Sequence, residues 1–320
     1  MKILSRMVVV PLLAMALVAA NARAQEFPNR AVRIYTTAPG GGSDFSARII
    51  SQTLPTLLGQ SVIVENRGGT VVIAATAVMK SPADGHALLL YGSTFWLFPY
   101  MQDSVPYDPL RDFVPITMTN LAPNILVVHP SLPVRSVKEL IALAASRPGE
   151  LNFSTGPSGS SNHLSGELLK AMARVKIVRV PYKGTAPALT ALLGGEVQMM
   201  FGTASTVAPY RTSGRLRALA VTSAKPSPFA LDLPSISAAL PGYDSVAQSG
   251  IFAPAGTPAA VIQKLNQDIV QVLRRADVKE KFFNSGTEAI GSTADEFAAA
   301  IKAEMAGMGK VIRDEKIRAE

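Results

Sequence analysis

The 320-residue chain contains no cysteine, and this absence excludes several kinds of site. Without a thiol there is no disulfide, no thiolate nucleophile, no cysteine-ligated zinc and no lipid-bearing residue of a lipoprotein. Histidine is nearly as scarce, and His86, His129 and His163 form neither an H-x-x-x-H nor an H-E-x-x-H spacing. We therefore expect neither a metal nor a cofactor.

The sequence signatures of common enzymes are also absent. Residues 156–160 lack the last glycine of a G-x-S-x-G elbow, and residues 40–42 are not followed by the third glycine of a dinucleotide fingerprint. No G-x-x-x-x-G-K-[ST] phosphate loop occurs. The formal net charge is +8, but no cluster of Lys and Arg with interleaved aromatic residues accompanies it. We therefore expect no nucleic-acid partner.

The N-terminus has the features of a secretory signal. Lys2 and Arg6 precede an apolar run over residues 7–20, and Ala22-Arg23-Ala24 has the small-x-small form that signal peptidase recognises. A helix needs about 20 residues to cross a bilayer, so this run is short for a membrane anchor, which is the alternative. We predict cleavage after Ala24 and export to the periplasm as a soluble protein.

The remainder of the chain predicts an α/β fold. From Val32 onward, short apolar runs rich in β-formers alternate with longer runs of helical period, which is typical of parallel α/β architecture. The predicted strands are residues 32–37, 62–65, 87–91, 125–129, 151–154, 177–181, 197–201 and 216–222. The predicted helices between them include residues 44–54, 137–146, 163–173 and 186–193. The mature chain of 296 residues (320 − 24) is long for one hydrophobic core, so we expect two lobes.

Two helices are predicted in the C-terminal tail. Thr257 and Pro258 can cap and open a helix that runs to about residue 274, and Ser292 with Asp295 can begin another. The last helix carries apolar residues at steps of three or four, a pattern that we interpret as core packing. These residues are Phe297, Ile301, Met305, Met308 and Ile312.

Two segments place a glycine- and serine-rich loop between a strand and a helix. They are residues 36–44 and 154–163. A loop without bulky side chains lets backbone N–H groups approach a ligand, and the following helix adds the positive end of its dipole. Both loops therefore suit a carboxylate or a phosphate. The loop hydroxyls, which add neutral donors, are Ser43, Thr155, Ser158, Ser160 and Ser161.

The segment around the only tryptophan has two interpretations. Residues 95–98 follow Gly92-Ser93-Thr94 and include Trp96. Burial in the core is the interpretation that we favour. If this turn faces a cleft, however, it supplies a wall for the apolar body of a ligand.

A set of short motifs, in their order and spacing, resembles the substrate-binding component of the tripartite tricarboxylate transporters, often called Bug proteins. The resemblance runs from about Pro28 to Arg318. The motifs are Pro39-Gly40-Gly41-Gly42-Ser43-Asp44, Val64-Glu65-Asn66-Arg67, Pro82-Ala83-Asp84-Gly85, Pro106-Tyr107-Asp108-Pro109, Asp112-Phe113, residues 154–163, Val180-Pro181-Tyr182-Lys183-Gly184, Leu192-Leu193-Gly194-Gly195, Leu219-Ala220-Val221-Thr222-Ser223 and Phe252-Ala253-Pro254-Ala255-Gly256-Thr257-Pro258.

The resemblance implies a type II periplasmic-binding-protein fold, with two α/β lobes of mainly parallel sheet joined by two chain crossings. Lobe I would hold residues 25–123 and 248–320, and lobe II residues 124–247. The protein would be a non-catalytic monomer that captures a small carboxylate between the lobes and delivers it to membrane permease subunits. The candidate ligand-binding residues are Ala38, Gly40, Gly41, Ser43, Asp44, Ser93, Thr94, Thr155, Gly156, Ser158, Ser160, Ser161, His163 and Thr203.

Two of these candidates have a particular expected role. Asp44 would repel an anion, so we expect it to cap its helix. Many relatives carry Asp in the segment where this chain has Gly202-Thr203-Ala204. An acidic partner for a ligand ammonium group would then be missing, so we expect a plain or aromatic carboxylate rather than an amino acid.

Two other functions are open at this point. The bound protein could dock on a sensory receptor instead of a permease. A serine esterase could use Ser158 or Ser160 with His163, and it would need an Asp to orient the imidazole.

Overall fold

The computed structural model describes residues 27–156 and 158–319. The predicted signal peptide and its cleavage site lie outside this range. Within the described part of the chain, none of the helices combines the length and the apolar character needed to cross a bilayer.

The described residues form ten strands and eleven α-helices. The strands are β1 (Val32–Thr36), β2 (Val62–Asn66), β3 (Ala87–Gly92), β4 (Phe113–Val128), β5 (Asn152–Thr155), β6 (Val178–Pro181), β7 (Met199–Thr203), β8 (Arg217–Val221), β9 (Val246–Pro254) and β10 (Glu288–Ala289). The helices are α1 (Gly42–Thr53), α2 (Pro55–Leu58), α3 (Val71–Met79), α4 (Thr94–Met101), α5 (Val137–Ser146), α6 (Ser161–Ala173), α7 (Thr185–Leu193), α8 (Ala204–Thr212), α9 (Ala259–Arg274), α10 (Ala276–Asn284) and α11 (Ala294–Asp314).

The predicted α/β fold is confirmed, and each predicted strand overlaps an observed one. The sequence pattern missed β9, most of β4, and the helices α3, α4 and α8. Proline explains several of these misses, because it removes a backbone donor and usually ends an element. Pro115 and Pro123 lie within β4, Pro99 within α4 and Pro209 within α8.

The strands form two parallel groups joined by antiparallel strands. β1 pairs in parallel with β2 and β3, and β5 pairs in parallel with β6 and β7. Between the groups, residues 113–123 of β4 pair with β9, and residues 124–128 of the same strand pair with β7. The strands β4 and β9 therefore connect the two groups.

Helices bury apolar side chains on both faces of each group. In the first group, Trp96, Phe252 and Phe297 pack together on one face, and the other face buries residues such as Ile34 and Ile269. The second group has equivalent clusters, described by their largest members: Phe153, Phe201, Tyr243, Met200 and Leu192. Burial of each such side chain contributes about 1.5–3 kcal/mol to the free energy of folding. These cores fix the loops that follow β1 and β5.

Several helix ends differ from the sequence prediction. Thr257 is not a cap, because its hydroxyl donates to the Pro254 carbonyl at 2.8 Å, and Pro258 occupies the N-cap position of α9. The last helix is capped by Thr293, one residue after the predicted Ser292. Thr293 and Glu296 exchange hydrogen bonds in a capping box, and the glutamate three residues after the cap is what selects this start.

The helix predicted to reach Leu54 ends close to that point. α1 ends at Thr53, and the short helix α2 begins at Pro55, where a proline is well tolerated as the first helical residue. The predicted stripe on α11 is also largely confirmed. Its members are buried, except Met305, which is partly buried against the same core.

Candidate functional site

The two glycine- and serine-rich loops line one cleft with a volume of about 900 Å³. The first loop follows β1 in one strand group, and the second follows β5 in the other. Seven of the fourteen candidate residues lie in this lining: Ala38, Gly40, Gly41, Ser43, Ser93, Thr94 and Ser161. The lining residues that the sequence analysis missed include Thr37, Gly159, Lys183, Gln248 and Glu304.

Asp44 holds the first loop in shape and does not line the cleft. Its carboxylate accepts the Gly40 N–H at 2.9 Å, the Asn66 side-chain N–H at 2.6 Å and the Arg48 Nε–H at 3.0 Å. Burial by itself raises the pKa of Asp44, but these three hydrogen bonds outweigh it and lower the pKa below its usual value. The N-cap residue of α1 is Gly41, so Asp44 reaches back to the loop from inside the first turn.

The first turn of α1 offers the donors for an anion. The N–H of Gly40 is taken by Asp44, and the N–H of Gly41 donates to the Ala38 carbonyl at 3.3 Å. The N–H groups of Gly42 and Ser43 have no acceptor among the described residues, and both residues line the cleft. Such unpaired N–H groups carry the positive end of the helix dipole.

Thr37 adds a hydroxyl beneath the same loop. Its Oγ1 is buried and has no partner among the described residues. A Cβ atom on Gly41 would lie 2.7 Å from this oxygen, so the loop can pass over Thr37 only with glycine at that position. An ordered water is the partner that would satisfy this buried hydroxyl.

The second loop is braced mainly from within. Arg179 donates to Thr155 Oγ1 at 2.9 Å and to Ser158 Oγ at 3.1 Å, and Asn162 Oδ1 accepts from the Gly156 N–H at 3.3 Å. Ser160 also donates to Asn162 Oδ1, at 2.6 Å. Four candidates, Thr155, Gly156, Ser158 and Ser160, therefore form the frame of the loop and do not line the cleft.

His163 also belongs to this frame. Its Nδ1 accepts the Gly159 N–H at 3.1 Å, and its Nε2 lies 3.6 Å from Glu167 Oε1. Burial opposes ionisation of Glu167, but hydrogen bonds from His163 and Lys170 more than offset it and lower the pKa of Glu167. With both ring nitrogens engaged in this way, the imidazole is not arranged as the general base of an esterase.

Thr203 has a local structural contact. It is the N-cap residue of α8, and its hydroxyl accepts the Thr206 N–H at 3.4 Å. Thr203 does not line the cleft.

The lining of the cleft also contains a partly buried acid, Glu304. Its Oε2 accepts the Trp96 Nε1–H at 2.9 Å and the Ser93 hydroxyl at 3.2 Å. Ser93 Oγ in turn accepts the Gln248 N–H at 3.4 Å. Burial dominates the surroundings of Glu304 and raises its pKa from 4.5 to about 7, even though the Trp96 and Ser93 hydrogen bonds act to lower it.

A signal for Glu304 exists in the sequence. Phe297, Ile301, Glu304 and Met308 follow one another at steps of four, three and four, so the acid occupies an apolar position of the stripe on α11. Trp96 itself is fully buried, which confirms the core interpretation of this residue. Its indole N–H is the polar group that turns toward the acid.

Comparison with known proteins identifies relatives of the whole fold. Residues 46–317 match the tripartite tricarboxylate transporter family receptor. The protein BugT of Bordetella pertussis (strain Tohama I) is 36% identical over 309 residues, which cover 94% of each chain.

Two solved structures of related proteins contain small carboxylates. Rpa4515 from R. palustris with adipate superposes with a TM-score of 0.76 at 35% identity, over 92% of this chain and 99% of that one. MatC from Rhodopseudomonas palustris with bound malate superposes with a TM-score of 0.72 at 28% identity, over 89% of this chain and all of the other.

Proposed function

Because the chain belongs to the tripartite tricarboxylate transporter receptor family, we propose that it captures a small carboxylate in the cleft and delivers it to the membrane permease of such a transporter. Proteins of this family are periplasmic solute-binding proteins and not enzymes. One observation carries the proposal. The N–H groups of Gly42 and Ser43 have no acceptor among the described residues, and both residues line a cleft that the two loops share.

The cleft suits a carboxylate with an apolar or aromatic body. Gly42 and Ser43 provide backbone N–H donors at one end, and the exposed Lys183 adds a positive charge to the lining. Leu164, Val246 and Met308 supply apolar surface beside them. The adipate of Rpa4515 and the malate of MatC support a ligand of this class.

Glu304 changes the reason for expecting a plain or aromatic carboxylate. The preference for a plain or aromatic carboxylate over an amino acid was inferred from the missing acid near Thr203. Glu304 lines the cleft, so an acidic side chain is present. The proposed preference therefore depends on the protonation of Glu304 and not on the absence of an acid.

We propose that the molecule works as two lobes, residues 25–123 with 248–320 and residues 124–247. Support comes from β4 and β9, which run between the two strand groups. Closure of the lobes would remove water from the ligand, and the closed form would be the one that the permease recognises. The proposal includes export by the N-terminal signal, cleavage after Ala24, and a monomeric mature protein.

Thermal-shift screening and calorimetric titration of the mature protein test this function. The panel is hexanoate, benzoate, adipate, malate and citrate, with glutamate and aspartate as amino-acid comparators. A ligand that binds only the folded state at 100 times its Kd stabilises the protein by about 2.7 kcal/mol, so a true ligand raises Tm clearly. If none of the carboxylates raises Tm or releases heat, the proposed function is wrong. If only aspartate or glutamate binds, the ligand class is wrong.

A further inference from the structure

Glu304 accepts hydrogen bonds from the protein through one oxygen, and its other oxygen is left without a donor among the described residues. Trp96 and Ser93 both donate to Oε2, and no donor reaches Oε1 within residues 27–156 and 158–319. Ser93 Oγ accepts the Gln248 N–H with one lone pair, and its own proton is available for donation to Oε2. Oε1 is thus the free oxygen of a side chain that lines two adjoining cavities, the main cleft and a neighbouring one of about 400 Å³.

The surroundings of Glu304 contain one charge of each sign. Among the described residues that line the two cavities, the other ionisable side chains are Lys183, in the main cleft, and Asp244, in the smaller cavity. The negative charge of Asp244 disfavours a second negative charge on Glu304. The groups that face Glu304 from α4, β9 and α6 are neutral: Ser93, Trp96, Gln248 and Leu168.

The hydrogen bonds to Oε2 decide where a proton would lie. In the arrangement in which Trp96 and Ser93 both donate to Oε2, this oxygen is the carbonyl oxygen of a neutral carboxylic acid and the proton lies on Oε1. In this form Glu304 is a donor that faces the cleft. The pKa of Glu304, raised to about 7 by burial, makes the neutral form accessible near neutral pH.

We propose that neutral Glu304 donates its Oε1–H to a second carboxylate of the ligand, so that the protein takes up a proton from solvent together with a dicarboxylate. This inference rests on the proposed function, because it assumes that the first carboxylate occupies the N–H groups of Gly42 and Ser43. Two carboxyl groups at hydrogen-bond distance repel each other strongly when both are ionised, so they share one proton. The acid then selects a carboxylate over an ammonium group at this end of the cleft.

Calorimetry in buffers of different ionisation enthalpy measures the proton uptake directly. The probe is the tightest-binding member of adipate, malate and citrate. For the wild-type protein we expect uptake of about half a proton at pH 7 and nearly one at pH 8, with an affinity that falls about tenfold per pH unit above pH 7. Glu304→Gln should bind without proton uptake and with the same affinity at pH 6 and pH 8, because its amide N–H replaces the acid proton.

Two comparisons separate Glu304 from its surroundings. Asp244→Asn is the matched variant in the neighbouring cavity, and it should retain the proton uptake. Hexanoate and 6-aminohexanoate are the matched ligands for adipate, with the second carboxylate removed or replaced by an ammonium group. Hexanoate should bind without proton uptake, and 6-aminohexanoate should bind more weakly than adipate.

The outcomes distinguish this inference from the proposed function. Dicarboxylate binding without proton uptake by the wild-type protein, which needs no variant to fold, overturns the inference alone. The inference alone is also overturned if hexanoate binds and adipate, malate and citrate do not. Tighter binding of 6-aminohexanoate than adipate would show that ionised Glu304 holds a cation, and it would overturn the inference. Failure of every carboxylate to bind overturns the proposed function, and the inference with it.

Discussion

Trp96 Nε1 lies 2.9 Å from Glu304 Oε2, so the only tryptophan of the chain touches the acid that lines the cleft. The indole is fully buried and packs against Phe252 and Phe297, which fixes the direction of its N–H. A rigid donor of this kind holds the carboxyl group in one orientation. The fluorescence of the indole can therefore report the protonation state of Glu304.

We expect the intrinsic fluorescence of the ligand-free protein to change with pH around a midpoint near 7. The acceptor of the indole N–H changes from a carboxylate to a neutral acid as Glu304 gains its proton, and the local charge beside the ring changes with it. A fluorescence titration between pH 5 and pH 9 measures this midpoint. Glu304→Gln should give a flat titration, and a persisting transition in that variant would show that another group is responsible.

Glu304 should also make the folded protein less stable as the pH rises from 4.5 to 7. Below pH 4.5 Glu304 is protonated in both the folded and the unfolded state, so its contribution to the free energy of unfolding is fully present. Between pH 4.5 and pH 7 Glu304 keeps its proton only in the folded state. The free energy of unfolding therefore falls by up to about 1.4 kcal/mol per pH unit. Urea denaturation of the wild-type protein and Glu304→Gln at several pH values gives this slope by difference. Equal slopes would contradict the raised pKa.

Gly42→Pro should weaken ligand binding without weakening the fold. Proline suits the first position of a helix, and Gly41 before it has the extended conformation that precedes proline well. The substitution removes one N–H of the anion site, and a hydrogen bond to a charged group is worth about 1.5–3 kcal/mol, or roughly 10- to 150-fold in Kd. Titration with the best carboxylate measures the loss.

Gly42→Ala is the control for this substitution, because it keeps the N–H and its Cβ would meet no atom within 4 Å. Its Kd should stay within about threefold of the wild-type value, well below the loss of a charged hydrogen bond. An unchanged Kd in Gly42→Pro, with the melting temperature preserved, would place the anion elsewhere.

Asp44→Asn should destabilise the protein and weaken binding together. The amide cannot accept all three of the hydrogen bonds from Gly40, Asn66 and Arg48, so at least one partly buried hydrogen bond to a charged acceptor is lost, at a cost of about 1–3 kcal/mol. Asp103→Asn is the surface control, because Asp103 and Arg318 form an exposed ion pair worth less than about 1 kcal/mol. Urea denaturation and calorimetry measure both effects, and equal stability losses in the two variants would contradict this role.

Thr203→Ala should separate helix capping from ligand contact. Loss of an N-cap hydroxyl costs about 1 kcal/mol of stability, and α8 would lose its cap. We expect Kd for the best carboxylate to stay unchanged, because Thr203 does not line the cleft. Thr203→Ser, which keeps the cap, should recover the stability. A weaker Kd in the alanine variant would return Thr203 to the binding site.

The sequence predicted the parts of this molecule that obey local rules. The strands before the two loops are continuous runs of β-forming residues. Glycine and serine between a strand and a helix indicate the loops. Which loop residues face the cleft could not be predicted, because the partners that decide it, Arg179 and Asn66, are distant in sequence. Glu304 was missed for a related reason, since only the packing of α11 against α4 brings it to Ser93 and Trp96.

The paired strands β4 and β9 end where the two proposed lobes meet. They are hydrogen-bonded to one another from Phe113 to Pro123, with register irregularities at Pro115–Thr117 and Met118–Asn120. A ladder of this kind resists sliding, because a shift of one residue would turn every side chain to the opposite face. In the two-lobe proposal, bending is then left to the residues at the end of this ladder, near 123–124 and 247–248. Opening of the cleft would then follow one rotational path, so that every ligand enters and leaves through the same mouth.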